Sequence, residues 1–245
     1  MNPLKLIEKQ AKKLVPKSWR KYFRASRYEL KMQRLSPVDL IVHVGAHYAE
    51  EAALYEQYGA KTVLWIEADP DTYKKLCDVL AKRKSSTRHL AECALVSDTA
   101  GQQLQFNRFN CEGASSSVYT STDTYKKRFS DSRETGEVLE ITTCSLPDIL
   151  DKHGVCPDQA TRSMLVLDVQ GHEFSVLQGL GDTLRQFSLC ECEISRVPMY
   201  NGGAQFPQID AHFRERGFKL ISHLYALVPR HGDVLYQRVD LKPES

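Results

Sequence analysis

The chain has 245 residues, of which 42% are hydrophobic and 26% charged, enough to bury one substantial core with the composition of an ordinary globular protein. No run approaches the roughly 18 consecutive apolar residues of a membrane span, and charges stand where a signal peptide would place its apolar segment, so a cytoplasmic protein is expected. The seven cysteines are odd in number and contain no C-x-x-C pair, which speaks against both a disulfide framework and a metal site. Cys190 and Cys192 alternate with Glu191 and Glu193 and read as one face of a buried strand; no partner cluster has the spacing that zinc would need.

Charge is unevenly distributed. Residues 1–37 carry eleven Lys or Arg against two Glu, a net +9, and since the whole chain is +2 the remainder is −7. Leu4, Ile7, Leu14, Trp19 and Phe23 set apolar groups among these charges, so residues 1–36 read as a basic amphipathic helical extension on an acidic body. An anionic membrane surface is the first partner expected for it and nucleic acid the second, beside the plainer reading of a solvated helix packed on its own domain.

From residue 37 to 245 the pattern becomes short apolar strands alternating with helical stretches, the ordering of βαβ units in an α/β domain with a mostly parallel sheet. The first strand is Leu40–Val44, turning at Gly45 into a helix from about Ala49 to Tyr58. A second strand, Thr62–Glu67, leads through Asp69, a candidate N-cap, and Pro70 into a helix ending near Lys84. A third strand is expected over Arg88–Val96 and an extended piece over Leu104–Phe109. Residues 110–135, polar and rich in Ser and Thr, read as a candidate lid. Val138–Cys144 alternates as a strand, Leu146–Lys152 as a helix, and Met164–Asp168 is an apolar strand ending in a carboxylate. Leu189–Ile194 is the next strand and Phe206–Arg216 the last helix. Phe218–His223 and Val234–Val239 then form an antiparallel edge hairpin turning through His231, Gly232 and Asp233.

Two places carry candidate chemistry. The turn after the first strand keeps only Gly45 of a G-x-G-x-x-G pattern, whose later glycines let the backbone close on a pyrophosphate. S-adenosyl-L-methionine carries an adenosine but no phosphates, so one glycine can serve it, and the missing glycines count against a nicotinamide dinucleotide. Glu67, 22 residues on at the end of the second strand, is placed to accept ribose hydroxyl protons. Cys93 and Ala94 would pass beside the adenine. The second place is Leu165–Glu173, where Asp168 ends a central strand at the crevice in which open α/β sheets bind ligands, with His172 and Glu173 following. Asp168 reads as a general base, a metal ligand, an acceptor-orienting group or a helix cap; His172 has the side chain best suited to proton transfer near neutrality. Glu193, buried by pattern, must pair with a cation such as Arg196 or face the site.

Four blocks in order, Val42–His47, Trp65–Pro70, Leu167–Gly179 and Glu193–Ser195, resemble the FkbM family of methyltransferases, and Ser115–Ser117 adds to the likeness. The resemblance spans about residues 37–240. It implies the Rossmann-like class I methyltransferase fold, a seven-stranded sheet with its last strand antiparallel, S-adenosyl-L-methionine as donor, and an acceptor hydroxyl on a glycan or natural product. By position it places Gly45 and Ala46 at the amino-acid end of the donor, Glu67 on the ribose and Asp168 on the acceptor side. The donor set is then His43, Gly45, Ala46, His47, Glu51, Glu67, Ala68, Cys93, Ala94 and Asp168, with Asp168 or His172 as base and no metal assigned, though a divalent cation at Asp168 stays open. One departure stands out: His43 occupies a position where the family usually has Asp, so the contact to the donor's ammonium must be remade, with Glu50 and Glu51 the nearest carboxylates. A binding-only descendant and a nucleic-acid methyltransferase are the rival readings; the acidic body lacks the basic, aromatic-lined groove of the second.

Overall fold

The structure, a computed structural model, describes residues 28–223 and 231–239. Most of the basic extension therefore lies outside the described residues. Its last turns, residues 28–35, form a helix (α1) that packs on the domain: Met32 is wholly buried and the Tyr28 hydroxyl donates to the Glu191 carboxylate.

The elements that follow are β1 (Leu40–Val44), α2 (Ala52–Gln57), β2 (Thr62–Glu67), α3 (Pro70–Ala81), β3 (Arg88–Cys93), β4 (Leu95–Val96), β5 (Gln103–Phe109), α4 (Asp123–Arg128), β6 (Glu134–Cys144), α5 (Leu146–His153), β7 (Ser163–Leu167), α6 (Glu173–Leu180), β8 (Leu189–Ser195), α7 (Phe206–Glu215), β9 (Phe218–His223) and β10 (His231–Arg238). Seven of the strands make one sheet in the order β3-β2-β1-β7-β8-β10-β9, with β10 antiparallel to both of its neighbours. This is the expected mostly parallel, Rossmann-like sheet with an antiparallel pair at one end. The reversal of strand order between β1 and β7 opens a crevice at their carboxyl ends.

Every residue of β1 and of β7 is buried, because helices cover both faces and alternate side chains enter opposite cores. Val42, Val44, Leu165 and Leu167 meet α5, α6 and α7 through Leu150, Val176, Leu177 and Phe213. Ile41, Trp65, Met164 and Val166 meet α1, α2 and α3 through Met32, Tyr55 and Leu76. Each such fully buried side chain contributes about 1.5–3 kcal/mol by removal from water. Asp69 caps α3 as expected, accepting from the Asp71 and Thr72 amides ahead of Pro70.

Three sequence expectations change. The third strand is interrupted at Ala94: Arg88–Cys93 stays in the main sheet, while Leu95–Val96 joins β6 and β5 in a separate three-stranded sheet. Residues 110–135 are not a structureless loop, since Thr122 caps α4 and Phe109, Tyr125, Met199 and Tyr200 form a small core beneath it. His231, Gly232 and Asp233 are not a turn; they begin β10 and pair with Ser195, Ile194 and Glu193 of β8.

Gly179 shows how closely α6 is seated. A Cβ there would lie 2.4 Å from the carbonyl oxygen of Ser97, which is backbone and cannot step aside. Glycine to alanine inside a helix ordinarily stabilises by about 1 kcal/mol. Here Gly179→Ala is expected to lower the thermal midpoint by several degrees, measured by circular dichroism; a raised midpoint would show that α6 is not held against Ser97.

Candidate active site

The crevice is built by backbone. The Gly45 and Ala46 amides both donate to the Ile66 carbonyl (2.9 and 3.0 Å), and the Asp168 amide donates to the Val44 carbonyl (3.0 Å). Gly45 has φ +84, and a Cβ on it would lie 1.9 Å from the Asp168 carbonyl oxygen, so no other residue fits the turn. A cavity of about 300 Å3 opens above this junction. His43, Gly45, Ala46, His47, Glu51, Glu67, Ala68, Ala94, Asp168 and His172 line it, which brings together the sequence candidates with one exception. Cys93 ends the edge strand β3 and is exposed outside the cavity, and Ala94, whose amide bonds to the Glu67 carbonyl, takes the wall instead. The sequence reading missed Val96, Phe106, Gly113, Ala114, Ser116, Val118 and Gln170, which close the far side. Only the serine run hinted at that wall.

Glu67 is buried, and its two oxygens accept from the His47 and Asp69 amides, both at 2.9 Å. Burial pushes its carboxyl up to about 7, against these amide bonds that favour the ion. Arg108 reaches over from β5 to hold Asp69 in a fork at 2.6 and 2.8 Å. At the turn itself, Glu50 is engaged with the His47 ring (2.6 Å) and the Tyr48 amide (3.2 Å). Glu51 lines the cavity, its carboxyl raised by burial. His43 cannot stand in for an acid. Its ring is bonded to the Tyr55 hydroxyl at 3.1 Å, and burial holds it down at about 3, hence neutral.

A group of carboxyl side chains clusters at the end of β7. Burial, then the neighbouring Glu193 and Glu173, push the Asp168 carboxyl well above the usual carboxylate range. Gln170 binds Asp168 and Glu193 together through its amide nitrogen (2.5 and 3.1 Å) and accepts from the Tyr200 hydroxyl (2.7 Å). Its backbone is left-handed, φ +54, and the Ser117 hydroxyl pins its carbonyl at 2.7 Å. Glu173 ties off the loop by accepting from the Val169 and Gly171 amides, each at 3.1 Å. Glu193 does not line this cavity but a neighbouring one, where it pairs with His231 at 3.0 Å; Arg196 instead lies over the Phe206 ring at 4.5 Å.

His172 does not share this arrangement. Its Nε2 meets the Ser97 hydroxyl at 3.0 Å, the ring is buried, and desolvation lowers it to about 4. So weak a base is poorly matched to proton transfer at neutral pH, which counts against the base role expected of His172. Asp168 is not the cap of α6, the position next to that helix being held by His172. Among the described residues no group of three or more His, Cys, Asp or Glu is disposed to hold a metal ion.

The fold and this cavity define a nucleoside-cofactor enzyme of the α/β class. Residues 43–220 match the model of the methyltransferase FkbM domain. The chain belongs to the FkbM methyltransferase family and is a methyltransferase of the S-adenosylmethionine-dependent class. No curated protein matches it. Among solved structures it is similar to magnesium protoporphyrin IX methyltransferase from Synechocystis PCC 6803 with bound SAM (8% identity, 89% of this chain and 79% of that one, TM-score 0.44). It is also similar to a ribosomal protein L11 methylase from Lactobacillus delbrueckii subsp. bulgaricus (11%, 86% and 76%, TM-score 0.44). A third is a protein of the NADB-Rossmann superfamily from Streptococcus agalactiae (8%, 90% and 70%, TM-score 0.45). Likenesses this distant say nothing of the acceptor.

Because Glu67 titrates near 7 in the free protein, a ligand that needs its carboxylate binds less well as pH falls through that value. The dissociation constant for S-adenosylmethionine is expected to weaken by up to about tenfold per pH unit below 7. Glu67→Gln should bind weakly throughout and lose one proton from that slope in calorimetric titrations; an unchanged slope would remove Glu67 from the donor site.

Proposed function

We propose that the cavity holds S-adenosylmethionine and that the chain transfers its methyl group to a hydroxyl of a carbohydrate. The residues present fit such a donor. Gly45 leaves the turn open where a Cβ would fill it, Glu67 stands at the end of β2 for the ribose hydroxyls, and Ala94 leaves room beside the edge strand for a ring. Glu51 takes the place of the acid that His43 lacks, offering the ammonium end a half-buried carboxylate.

When bound, the donor supplies an electrophilic methyl carbon on a positively charged sulfur. The protein's part is alignment and proton removal. With donor and acceptor bound, Asp168 would take the proton that the acceptor hydroxyl gives up as it receives the methyl group. The observation that carries this reading is the partly buried Asp168 carboxyl at the end of β7, lining the cavity and bonded through Gln170 to Glu193. Two neighbouring, partly buried carboxyl groups do not both ionise readily, so the pair holds one negative charge and gives it up on taking the acceptor's proton. The positive sulfur of a bound donor would oppose the burial shift and favour the ionised, basic form of Asp168.

The carbohydrate part of the reading rests on the family resemblance and on the polar rim of hydroxyl and carboxyl groups around Asp168. Asp168→Asn keeps the shape and the Gln170 contact but cannot accept the proton. Its turnover on a panel of glycans, followed with labelled methyl, is expected to fall by about a hundredfold or more while donor affinity stays within a few fold. Equal turnover in the variant would dispose of Asp168 as the base.

A further inference from the structure

Gln170 stands at a strained place in the chain. Its φ of +54 is left-handed, a conformation that persists in a residue with a Cβ only where the surroundings fix it. The hydroxyl of the wholly buried Ser117 donates to the Gln170 carbonyl at 2.7 Å and fixes the backbone. The side chain keeps one coarse freedom, which end of its amide faces Asp168 and Glu193. Two carboxyl groups that hold one negative charge between them present more acceptors than donors, so the amide nitrogen belongs on their side, one N–H to each. The amide oxygen then faces Tyr200, whose hydroxyl donates to it at 2.7 Å. The other acceptor in reach of that hydroxyl, the Ser115 carbonyl, lies at 3.4 Å. Burial pushes the Tyr200 phenol further up, so it keeps its proton.

Tyr200 is only 4% exposed and comes from the connection between β8 and α7. The Thr122 amide donates to the Met199 carbonyl at 3.0 Å and the Asn201 amide to the Thr120 carbonyl at 2.9 Å, so the chain is held on both sides of the tyrosine. The Tyr125 and Phe109 rings pack on it at 5.3 and 6.4 Å. Gly171 gives it room, since a Cβ there would stand 2.9 Å from the Tyr200 ring. From this chain of contacts we propose that Tyr200 and Gln170 are positioning residues for Asp168, the hydroxyl of the first holding the amide of the second with its N–H groups toward the carboxyl pair. This rests on the reading of Asp168 as the base. Hydrogen bonds given to a carboxylate favour its ionised form, so this relay keeps the pair able to accept a proton at a lower pH than burial alone would allow. The nearby carboxyl groups of Glu51, Glu173, Glu191 and Asp233 disfavour further negative charge, Tyr55 of α2 is neutral, and His231 and the Arg128 guanidinium line the neighbouring cavity. Among the described residues Gln170 is the one side chain whose nitrogen reaches Asp168. Without the Tyr200 hydroxyl its amide oxygen is left unpaired, and the amide is free to turn over and set oxygen against the carboxyl pair.

The test needs no acceptor. Side-chain carboxyl signals of the isotope-labelled full chain are followed against pH by NMR, with Asp168→Asn and Glu193→Gln assigning the pair. The quantity compared is the midpoint at which the pair loses its first proton as pH rises. Tyr200→Phe, which keeps the ring, and Gln170→Met, which keeps the length, are each expected to raise it by about one pH unit, a tenfold gain in proton affinity. The double variant should go no further than Gln170→Met, because both changes break one relay. Tyr125→Phe disturbs the same small core by removing the hydroxyl bonded to Ser132 at 2.7 Å, yet does not touch Gln170. It should lower the thermal midpoint and leave the titration in place. An unmoved titration in Tyr200→Phe or Gln170→Met, or an equal rise in Tyr125→Phe, overturns the relay. The reading of Asp168 as the base stands or falls separately, on the turnover of Asp168→Asn.

Discussion

The approach of two backbones at the carboxyl ends of β1 and β7 is the constraint on which the rest of the site depends. The Val44 carbonyl accepts the Asp168 amide, and Gly45 passes so near the Asp168 carbonyl that a single added carbon would stand 1.9 Å from it. That contact sets the two turns side by side at the point where strand order reverses. It places the turn from Gly45 to Glu51 beside the Asp168 carboxyl, which Gln170 links to Glu193. The contact is made by main chain, so it does not depend on which side chain stands at a neighbouring position such as His43.

Electrostatics supply the second theme. Asp168, Glu173, Glu191, Glu193 and Asp233 are all pushed upward by burial, and most of them by one another as well. Carboxyl groups confined in this way are a poor means of holding a fold together, because each raised value means stability that is lost as pH rises. They make sense as a receiver for positive charge. On the proposed function, the donor's sulfonium is the cation they receive, and it would return nearby carboxylates to the ionised state in which one can take a proton. The few groups that are fully satisfied have structural duties: Glu173 closes the loop before α6, and Glu191 meets Tyr28 of α1.

Much of the fold was legible in the sequence because a sheet covered on both faces writes itself as short apolar runs. Leu40–Val44, Thr62–Glu67 and Phe218–His223 appear with the boundaries that their patterns imply. The break at Ala94 was not legible, since Arg88–Val96 is one continuous strand-like pattern and only the second sheet decides where it parts. The start of β10 was hidden for a different reason: His231-Gly232-Asp233 has turn composition, and pairing with β8 overrides it. At the site, Gly45, Glu67 and Asp168 could be read from their spacing along successive strands. The clustering of Gln170, Glu193, His231 and Asp233 could not, because it joins a left-handed loop residue to two strands that are distant in the chain and antiparallel.

The central claim is that the cavity above Gly45 is a donor site in spite of His43. Calorimetric titration of the purified chain with S-adenosylmethionine and, separately, with NAD tests it most directly. The account predicts saturable one-to-one binding of S-adenosylmethionine and none of NAD. Failure of S-adenosylmethionine to bind, or saturation by NAD in its place, would contradict it.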